Sequence, residues 1–148
     1  MGDRLQLAIN RATEAHKGQV DKAGVDYIQH PLGVLKIVQE MGGDESAQIV
    51  AVLHDCIEDT GYGLEAIAQD FGWSIALSVL ALSRISTPEF KEDYNDYLVK
   101  VKLDPTAKLV KIADVKHNNL ESRLALLPKE KADRFRKHGE SALKILLN

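Results

Sequence analysis

A short segment rich in acidic and basic side chains follows an apolar run in the first half of the chain. Residues 49–53 are apolar and lead into His54, Asp55, Glu58 and Asp59. In a helix, residues four apart share a face, so His54 would neighbour Glu58, and Asp55 would neighbour Asp59. Burying these groups is unfavourable without compensation, and a divalent cation would compensate all of them. The alternative is a helix end whose charges face water.

A further carboxylate stands on the apolar side of a later predicted helix. A lone buried carboxylate is costly, so we expect Asp114 to have a partner. One interpretation pairs it with a cation of the chain, Lys111 or Arg84. The other gives it a metal ion, shared with His30 and with the histidine and aspartate of the first segment. Local capping is an alternative role for His30, because Pro31 suits the first turn of a helix.

Composition narrows the class of protein. The 148 residues fit one domain, and a net charge of −3 without a basic run argues against nucleic-acid binding. The N-terminus has no signal-peptide pattern, and no apolar stretch is long enough for a membrane span. Cys56 is the only cysteine, which excludes an intramolecular disulfide and favours the cytoplasm. Its apolar neighbours indicate a buried small side chain rather than a nucleophile.

Apolar residues recur with a helical period, and no stretch alternates convincingly with a period of two. The pattern predicts an all-α fold, a compact array of about eight helices in a single domain, residues 1–148. Asp3, Asp44 and Asp104 are the predicted N-caps. The helix over residues 73–85 is expected to lie in the core. The predicted helices span residues 3–17, 31 to about 41, 45–58, 64–70, 73–85, 89–102, 105 onward and 128–147.

Four segments occur in an order that resembles a known family. They are Ala15-His16-Lys17-Gly18-Gln19, Tyr27-Ile28-Gln29-His30-Pro31, the run from Leu53 to Thr60, and the run from Lys111 to Asn118. Together they resemble the HD-domain metal-dependent phosphohydrolases, and more narrowly the hydrolase domain of RelA/SpoT-type enzymes and their small single-domain relatives. A histidine–aspartate doublet alone is weakly specific, whereas the four segments in this order are highly specific.

This resemblance implies a set of site residues. The metal ligands would be His30, His54, Asp55 and Asp114, and the metal would be a divalent cation, Mn²⁺ in the usual case. Glu58 and Asp59 would be the catalytic acids, which orient the attacking water and carry its proton. From the residues alone, the same acids could form a solvated acidic turn.

The resemblance also implies substrate contacts. Lys22 would contact a base or phosphate, and Asn118 the ribose; their alternatives are a solvated loop lysine and a helix-ending asparagine. The chain departs from the family pattern at three positions. Asp21 stands in place of an arginine, Asp26 in place of a proline, and Val115 in place of a basic residue.

The resemblance implies a metal-dependent phosphohydrolase with a small phosphorylated nucleotide as its substrate. The specific hypothesis is a guanosine-3′,5′-bis(diphosphate) 3′-pyrophosphohydrolase. One alternative is a phosphatase for a different nucleotide or dinucleotide phosphate, because the departures fall where substrate is recognised. Others are a non-catalytic nucleotide sensor on the same scaffold and a helical interaction domain without a site.

Overall fold

Helices account for the regular structure of the protein. The computed structural model describes residues 2–148, in which ten helices form and the only β-bridges are two isolated ones. The prediction of an all-α fold is therefore confirmed, and eight of the helices have at least eight residues. The helices are α1 (Asp3–Ala15), α2 (Gln29–Glu40), α3 (Glu45–Leu53), α4 (Cys56–Asp59), α5 (Leu64–Phe71), α6 (Trp73–Ala81), α7 (Tyr94–Lys102), α8 (Pro105–Asn118), α9 (Glu121–Leu124) and α10 (Lys129–Leu147).

Helix α3 forms the centre of the core. Every residue from Ile49 to Leu53 is buried, so the C-terminal part of this helix is apolar on all sides and needs neighbours on all sides. Helices α1, α2, α6 and α8 supply them, while α10 packs on α7 and α8. Helices α2 and α8 also pack on each other. The C-terminal end of α3 therefore delivers its next residues into the contact between α2 and α8.

Aspartate side chains begin two of the core helices as predicted. Asp44 accepts a hydrogen bond from the backbone N–H of Ala47 at 2.9 Å, and Asp104 accepts one from Ala107 at 3.0 Å. The predicted cap at Asp3 is wrong, because Gly2 holds the N-cap position and Asp3 is the first helical residue. Each of these side chains accepts from one of the backbone N–H groups that a helix start leaves unpaired, which stabilises the helix.

The predicted continuous helix over residues 45–58 is also wrong. Helix α3 ends at Leu53, and a turn at His54 and Asp55 separates it from α4. The Nδ1 atom of His54 donates to the carbonyl of Ala51 at 2.6 Å. In a continued helix that carbonyl would accept from the backbone N–H of Asp55. A side-chain bond thus replaces a backbone bond at this point and turns the chain.

Helix α7 begins five residues later than predicted, at Tyr94 rather than residue 89. The side chain of Asp93 accepts from the backbone N–H of Asp96 at 3.1 Å and caps the helix there. The preceding residues form a turn, in which the N–H of Thr87 donates to the carbonyl of Phe90 at 2.7 Å. Local hydrogen bonds to polar side chains therefore decide where this helix starts.

Helix α6 is shorter than predicted and has one exposed side. It ends at Ala81, and it exposes Trp73, Leu77 and Leu80 by 56, 51 and 39%. Its opposite side contributes to the core, as expected, so the helix is buried on one side only. No helix within residues 2–148 is long and apolar enough to cross a bilayer.

Candidate metal centre and adjoining cavity

The four predicted metal ligands converge from three elements. Ligand atoms of His30 on α2 and of His54 and Asp55 after α3 lie within 4.8 Å of one another. Asp114 on α8 places its Oδ1 atom 2.8 Å from Nε2 of His30 and 3.4 Å from Nε2 of His54. Oδ2 of Asp55 lies 3.1 Å from the same His54 atom. The structure thus brings all four side chains into one buried cluster.

The imidazole of His54 is oriented by its own backbone. Because Nδ1 donates to the Ala51 carbonyl, we infer the tautomer in which Nε2 carries the lone pair. That Nε2 atom is buried and has no hydrogen-bond partner among the described residues. A buried nitrogen lone pair facing two carboxylates is costly unless it binds a proton or a metal cation. Two imidazoles and two carboxylates also suit a divalent transition metal, so the donor set fits such a metal.

Without a metal cation, a proton on His54 balances part of the negative charge of Asp55 and Asp114. Burial lowers the pKa of His54, but Asp55 and Asp114 outweigh it and hold that pKa well above its usual value. In return, the pKa of Asp55 lies below its usual value despite burial, because of the adjacent His54. Binding of a metal to these ligands therefore requires the loss of the His54 proton.

Asp114 uses its two oxygens differently. Its Oδ1 atom faces the histidines, whereas Oδ2 accepts from Nζ of Lys111 at 2.9 Å. Lys111 in turn lies 5.3 Å from the ring centroid of Tyr97. Burial lowers the pKa of Lys111, but the charge of Asp114 outweighs it and raises that pKa. Burial raises the pKa of Asp114, but the charge of Lys111 helps to lower it. Asp114 can therefore pair with Lys111 and face the metal site at the same time. Arg84, the other candidate partner of Asp114, donates to the Glu92 carbonyl at 2.8 Å.

Two further residues contact the ligand set and were missed from the sequence. The hydroxyl of Tyr27 donates to Oδ2 of Asp55 at 2.5 Å, and burial raises the pKa of this tyrosine. Nδ1 of His117 lies 2.7 Å from Nδ1 of His30, and burial lowers the pKa of His117 to about 4. Both residues fall inside the quoted motif segments, which is the signal that could have identified them.

Glu58 and Asp59 lie on the single turn of α4, directly after the metal ligands. Burial, and then the charge of Asp55, raises the pKa of both carboxyl groups above their usual values, although both side chains keep solvent contact. Lys111 and the backbone N–H of Arg84 oppose this shift at Glu58. A carboxyl with a raised pKa is better matched to proton transfer near neutral pH.

A cavity of about 400 Å³ adjoins the metal ligands, a size typical of small-molecule sites. His30, Asp55 and Asp114 form its inner end. Lys22 lines the outer part, where its ammonium lies 5.3 Å from the ring centroid of Phe135. The remaining wall is mixed, and consists of Val20, Asp21, Ala23, Val25, Tyr27, Asn118, Arg123, Leu126 and Leu127.

Asn118 and Asn119 have separate roles. Asn118 lines the cavity and donates from Nδ2 to Oδ1 of Asp114 at 3.3 Å. Asn119 is the C-cap of α8, donates to the carbonyl of Val115 at 3.0 Å and packs against Gly139. The helix-ending role therefore belongs to Asn119, which leaves Asn118 facing the cavity.

The unexpected aspartate of the cavity loop is already paired. Oδ1 of Asp21 accepts from the backbone N–H groups of Ala23 and Val25 at 2.9 and 3.0 Å. Its Oδ2 atom lies 3.6 Å from the guanidinium of Arg123 on α9. Asp21 is therefore a turn-forming residue whose charge is compensated, and Arg123 is a cavity residue that the sequence did not identify. Val115, another departure, is buried in the core.

A second cavity of about 260 Å³ shares Lys22 and Phe135 with the first. Lys131 and Arg134 from α10 line it, together with His138. Lys22, Lys131 and Arg134 give this outer cavity a positive character, which suits an anionic group.

The surroundings of Cys56 exclude it as a nucleophile. Cys56 is fully buried in the core, and burial followed by the charge of Asp55 raises its pKa to about 12. A thiol with that pKa is not ionised near neutral pH. The interpretation of Cys56 as a small buried side chain is confirmed.

Comparison with known proteins agrees with this geometry. The sequence profile of the HD domain matches residues 8–118, which include all four candidate ligands. The chain belongs to the HD-domain family. Such a domain implies a divalent metal, which the donor set described above fits.

Curated relatives of this HD domain are much longer proteins. They include the GTP pyrophosphokinase of Streptomyces coelicolor, 35% identical over 78% of this chain and 14% of its own length. The guanosine-3′,5′-bis(diphosphate) 3′-pyrophosphohydrolase of Haemophilus influenzae is 34% identical over 72% of this chain and 17% of its own. The bifunctional (p)ppGpp synthase/hydrolase SpoT of Escherichia coli is 34% identical, with coverages of 78 and 17%. The chain thus spans about a sixth of these relatives.

A solved structure supports the fold of the HD domain. It matches with a TM-score of 0.81 over 99% of this chain and 86% of its own, at 21% identity. That structure is described as a metazoan ortholog of SpoT that hydrolyses ppGpp.

Proposed function

We propose that this HD domain is a Mn²⁺-dependent phosphohydrolase that removes the 3′-pyrophosphate from a guanosine 3′,5′-bis(diphosphate)-type nucleotide. The observation that carries the proposal is the orphaned Nε2 atom of His54, buried beside Asp55 and Asp114. These two carboxylates line the inner end of a cavity of about 400 Å³. The names of several relatives, guanosine-3′,5′-bis(diphosphate) 3′-pyrophosphohydrolase, specify hydrolysis of this bond and favour the same substrate.

In this proposal, the residues divide into ligands, acids and substrate contacts. His30, His54, Asp55 and Asp114 hold the cation, which supplies positive charge for the phosphate oxygens and makes water more acidic. Glu58 and Asp59 orient the water and take its proton. The water oxygen bonds to the phosphorus, the bond from phosphorus to the 3′ oxygen breaks, and that oxygen takes up a proton. The products are a nucleoside 5′-diphosphate and pyrophosphate.

Substrate binding would follow the polarity of the cavity wall. Asn118, one turn after Asp114, lines the cavity and would contact the sugar next to the reacting phosphate. Phe135 and the leucines beside it offer an apolar surface for a base. Lys22 and the cations of the second cavity would bind the 5′ phosphates, because they supply positive charge at the outer end of the first cavity.

A second candidate function keeps the chemistry and changes the substrate to a different nucleotide or dinucleotide phosphate. The observation that favours it is the Asp21–Arg123 pair, which stands where the family pattern has an arginine. A guanidinium already bound to a carboxylate recognises a base differently from an unpaired one. The apolar wall and outer cations accommodate either substrate.

The test is a substrate panel with purified, metal-stripped protein reloaded with Mn²⁺. We expect pyrophosphate release from guanosine tetraphosphate and none from the His54→Ala variant. Orthophosphate release from another nucleotide, without pyrophosphate from guanosine tetraphosphate, would favour the second candidate. Binding without turnover by protein of confirmed metal content would instead indicate a nucleotide sensor, and would overturn both enzymatic proposals. A series with Mg²⁺, Co²⁺ and Zn²⁺ tests the choice of manganese.

A further inference from the structure

The contact between His30 and His117 joins a candidate metal ligand to a residue without an assigned role. The two Nδ1 atoms are 2.7 Å apart, both side chains are buried, and the ring centroids are 4.8 Å apart at an angle of 42°. Such a short distance between two ring nitrogens requires one to donate and the other to accept. One proton is therefore shared by the two imidazoles.

The direction of this hydrogen bond follows from the other side of His30. Its Nε2 atom faces Asp114 and lies 4.0 Å from Asp55, on the side where the candidate ligands converge. A neutral imidazole that binds a metal through Nε2 must carry its proton on Nδ1. With the metal bound, Nδ1 of His30 therefore donates and Nδ1 of His117 accepts. In the protein without metal, Nε2 of His30 itself donates to Oδ1 of Asp114 at 2.8 Å. Metal-binding histidines commonly have such an acceptor on their second nitrogen.

A glycine on α2 makes room for this acceptor. A Cβ atom added at Gly33 would lie 2.0 Å from Nε2 of His117 and 2.5 Å from its Cδ2. Gly33 is three residues after His30 and therefore on the same side of the helix. Glycine is normally unfavourable inside a helix, and here its missing side chain is the space that the ring of His117 occupies.

We propose that His117 is a positioning residue, which aims Nε2 of His30 at the metal, and that Gly33 is required because it seats the His117 ring. This inference rests on the proposed metal site but concerns residues outside the ligand set. Without the acceptor, His30 can rotate or adopt the other tautomer, so metal affinity should fall even though all four ligands are present.

The test measures Mn²⁺ affinity by isothermal titration calorimetry on stripped protein, without substrate. His117→Ala is expected to weaken binding by about 10- to 100-fold, as is usual for such outer contacts. His117→Asn, whose side-chain oxygen can accept a hydrogen bond, should recover part of the loss. Val115→Ala, on the same helix and equally buried, removes core packing and should leave the affinity unchanged.

A double-mutant cycle tests the role of Gly33. Gly33→Ala alone should weaken Mn²⁺ binding, because its methyl group displaces the ring. In the His117→Ala background the same change should cost little further, because the space is then vacant. Wild-type affinity in His117→Ala, or equal losses from Gly33→Ala in both backgrounds, would overturn the inference. If wild-type protein bound no metal, the proposed function itself would fail, so the two failures are distinguishable.

Discussion

At the scale of single residues, the most constrained group is the carboxylate of Asp114. It accepts from Lys111 through one oxygen and faces two histidines with the other. Both partners of the lysine pair are largely buried, with side-chain exposures of 13 and 8%. Each charge therefore depends on the other for its compensation in the protein without metal.

Replacing only one member of this pair should destabilise the protein. We expect Asp114→Asn to lower the free energy of unfolding of the stripped protein by about 3 kcal/mol, because Lys111 is left buried without its counter-charge. The double variant with Lys111→Met should recover much of that loss. Urea unfolding at pH 7 measures both effects. A single variant as stable as the wild type would contradict this account.

The same pair predicts a pH dependence. Burial raises the pKa of Asp114, but Lys111 and the two histidines outweigh it and hold that pKa well below the usual value of 3.8. Its contribution to stability is therefore present above the unfolded pKa and is lost as the pH falls through the folded pKa. The stability difference between wild type and Asp114→Asn should shrink below about pH 4. Unfolding curves from pH 7 down to pH 3 test this.

Glu58 provides a prediction about activity. Its pKa lies above the usual 4.5, chiefly through burial and then through the charge of Asp55. A carboxylate that takes a proton from water must be ionised, so activity should fall as the pH drops through this raised pKa. Glu58→Gln should lower kcat at least 100-fold. Glu65→Gln, which removes an exposed acid of α5, is the matched control and should leave kcat unchanged. Equal kcat in the two variants would exclude Glu58 as the base.

At the scale of elements, the loop between α1 and α2 is tied to α9 by the Asp21–Arg123 pair. Asp21 also forms the turn that shapes this loop, through its bonds to Ala23 and Val25. Substituting arginine at position 21 would therefore remove the turn as well as adding a cation. A test of recognition is cleaner when it leaves this turn intact.

Arg123→Ala is the cleaner test of the cavity wall. If Arg123 contacts the substrate equally in the ground and transition states, KM should rise about tenfold and kcat should stay unchanged. Asp21→Asn keeps an oxygen for the turn and removes only the charge, so it serves as the control for loop structure. Steady-state kinetics of both variants decide the question. Unchanged KM in Arg123→Ala would show that α9 does not take part in binding.

At the scale of the whole molecule, the candidate ligands tie α2, the turn after α3, and α8 to one point. Mn²⁺ at 100 times its dissociation constant should therefore raise the free energy of unfolding by about 2.7 kcal/mol. His54→Ala should abolish this rise, whereas Leu103→Ala, at an 82% exposed position, should preserve it. Thermal unfolding with chelator and with Mn²⁺ measures the difference. A similar rise in His54→Ala would argue against this site.

Much of this architecture could be predicted because it is local. Asp44 and Asp104 marked helix starts by their own side chains, and helical periodicity identified the fold class. The break at His54 was missed because it depends on which nitrogen of one ring bonds the Ala51 carbonyl. Arg123 was missed because its partner Asp21 is far away in the sequence. Motif order grouped the four ligand candidates, but it carried no information on the groups that orient them.

The separation of the ligands along the chain has a consequence for folding. His30 and Asp114 are 84 residues apart, and α8 must dock on α2 before their side chains meet. Closing so long a loop is entropically unfavourable until most other contacts exist. A refolding chain that lacks a docked α8 therefore presents an incomplete ligand set. If these residues bind the cation as proposed, its capture should be one of the last events of folding, and the kinetics of metal binding should report when the chain has finished assembling.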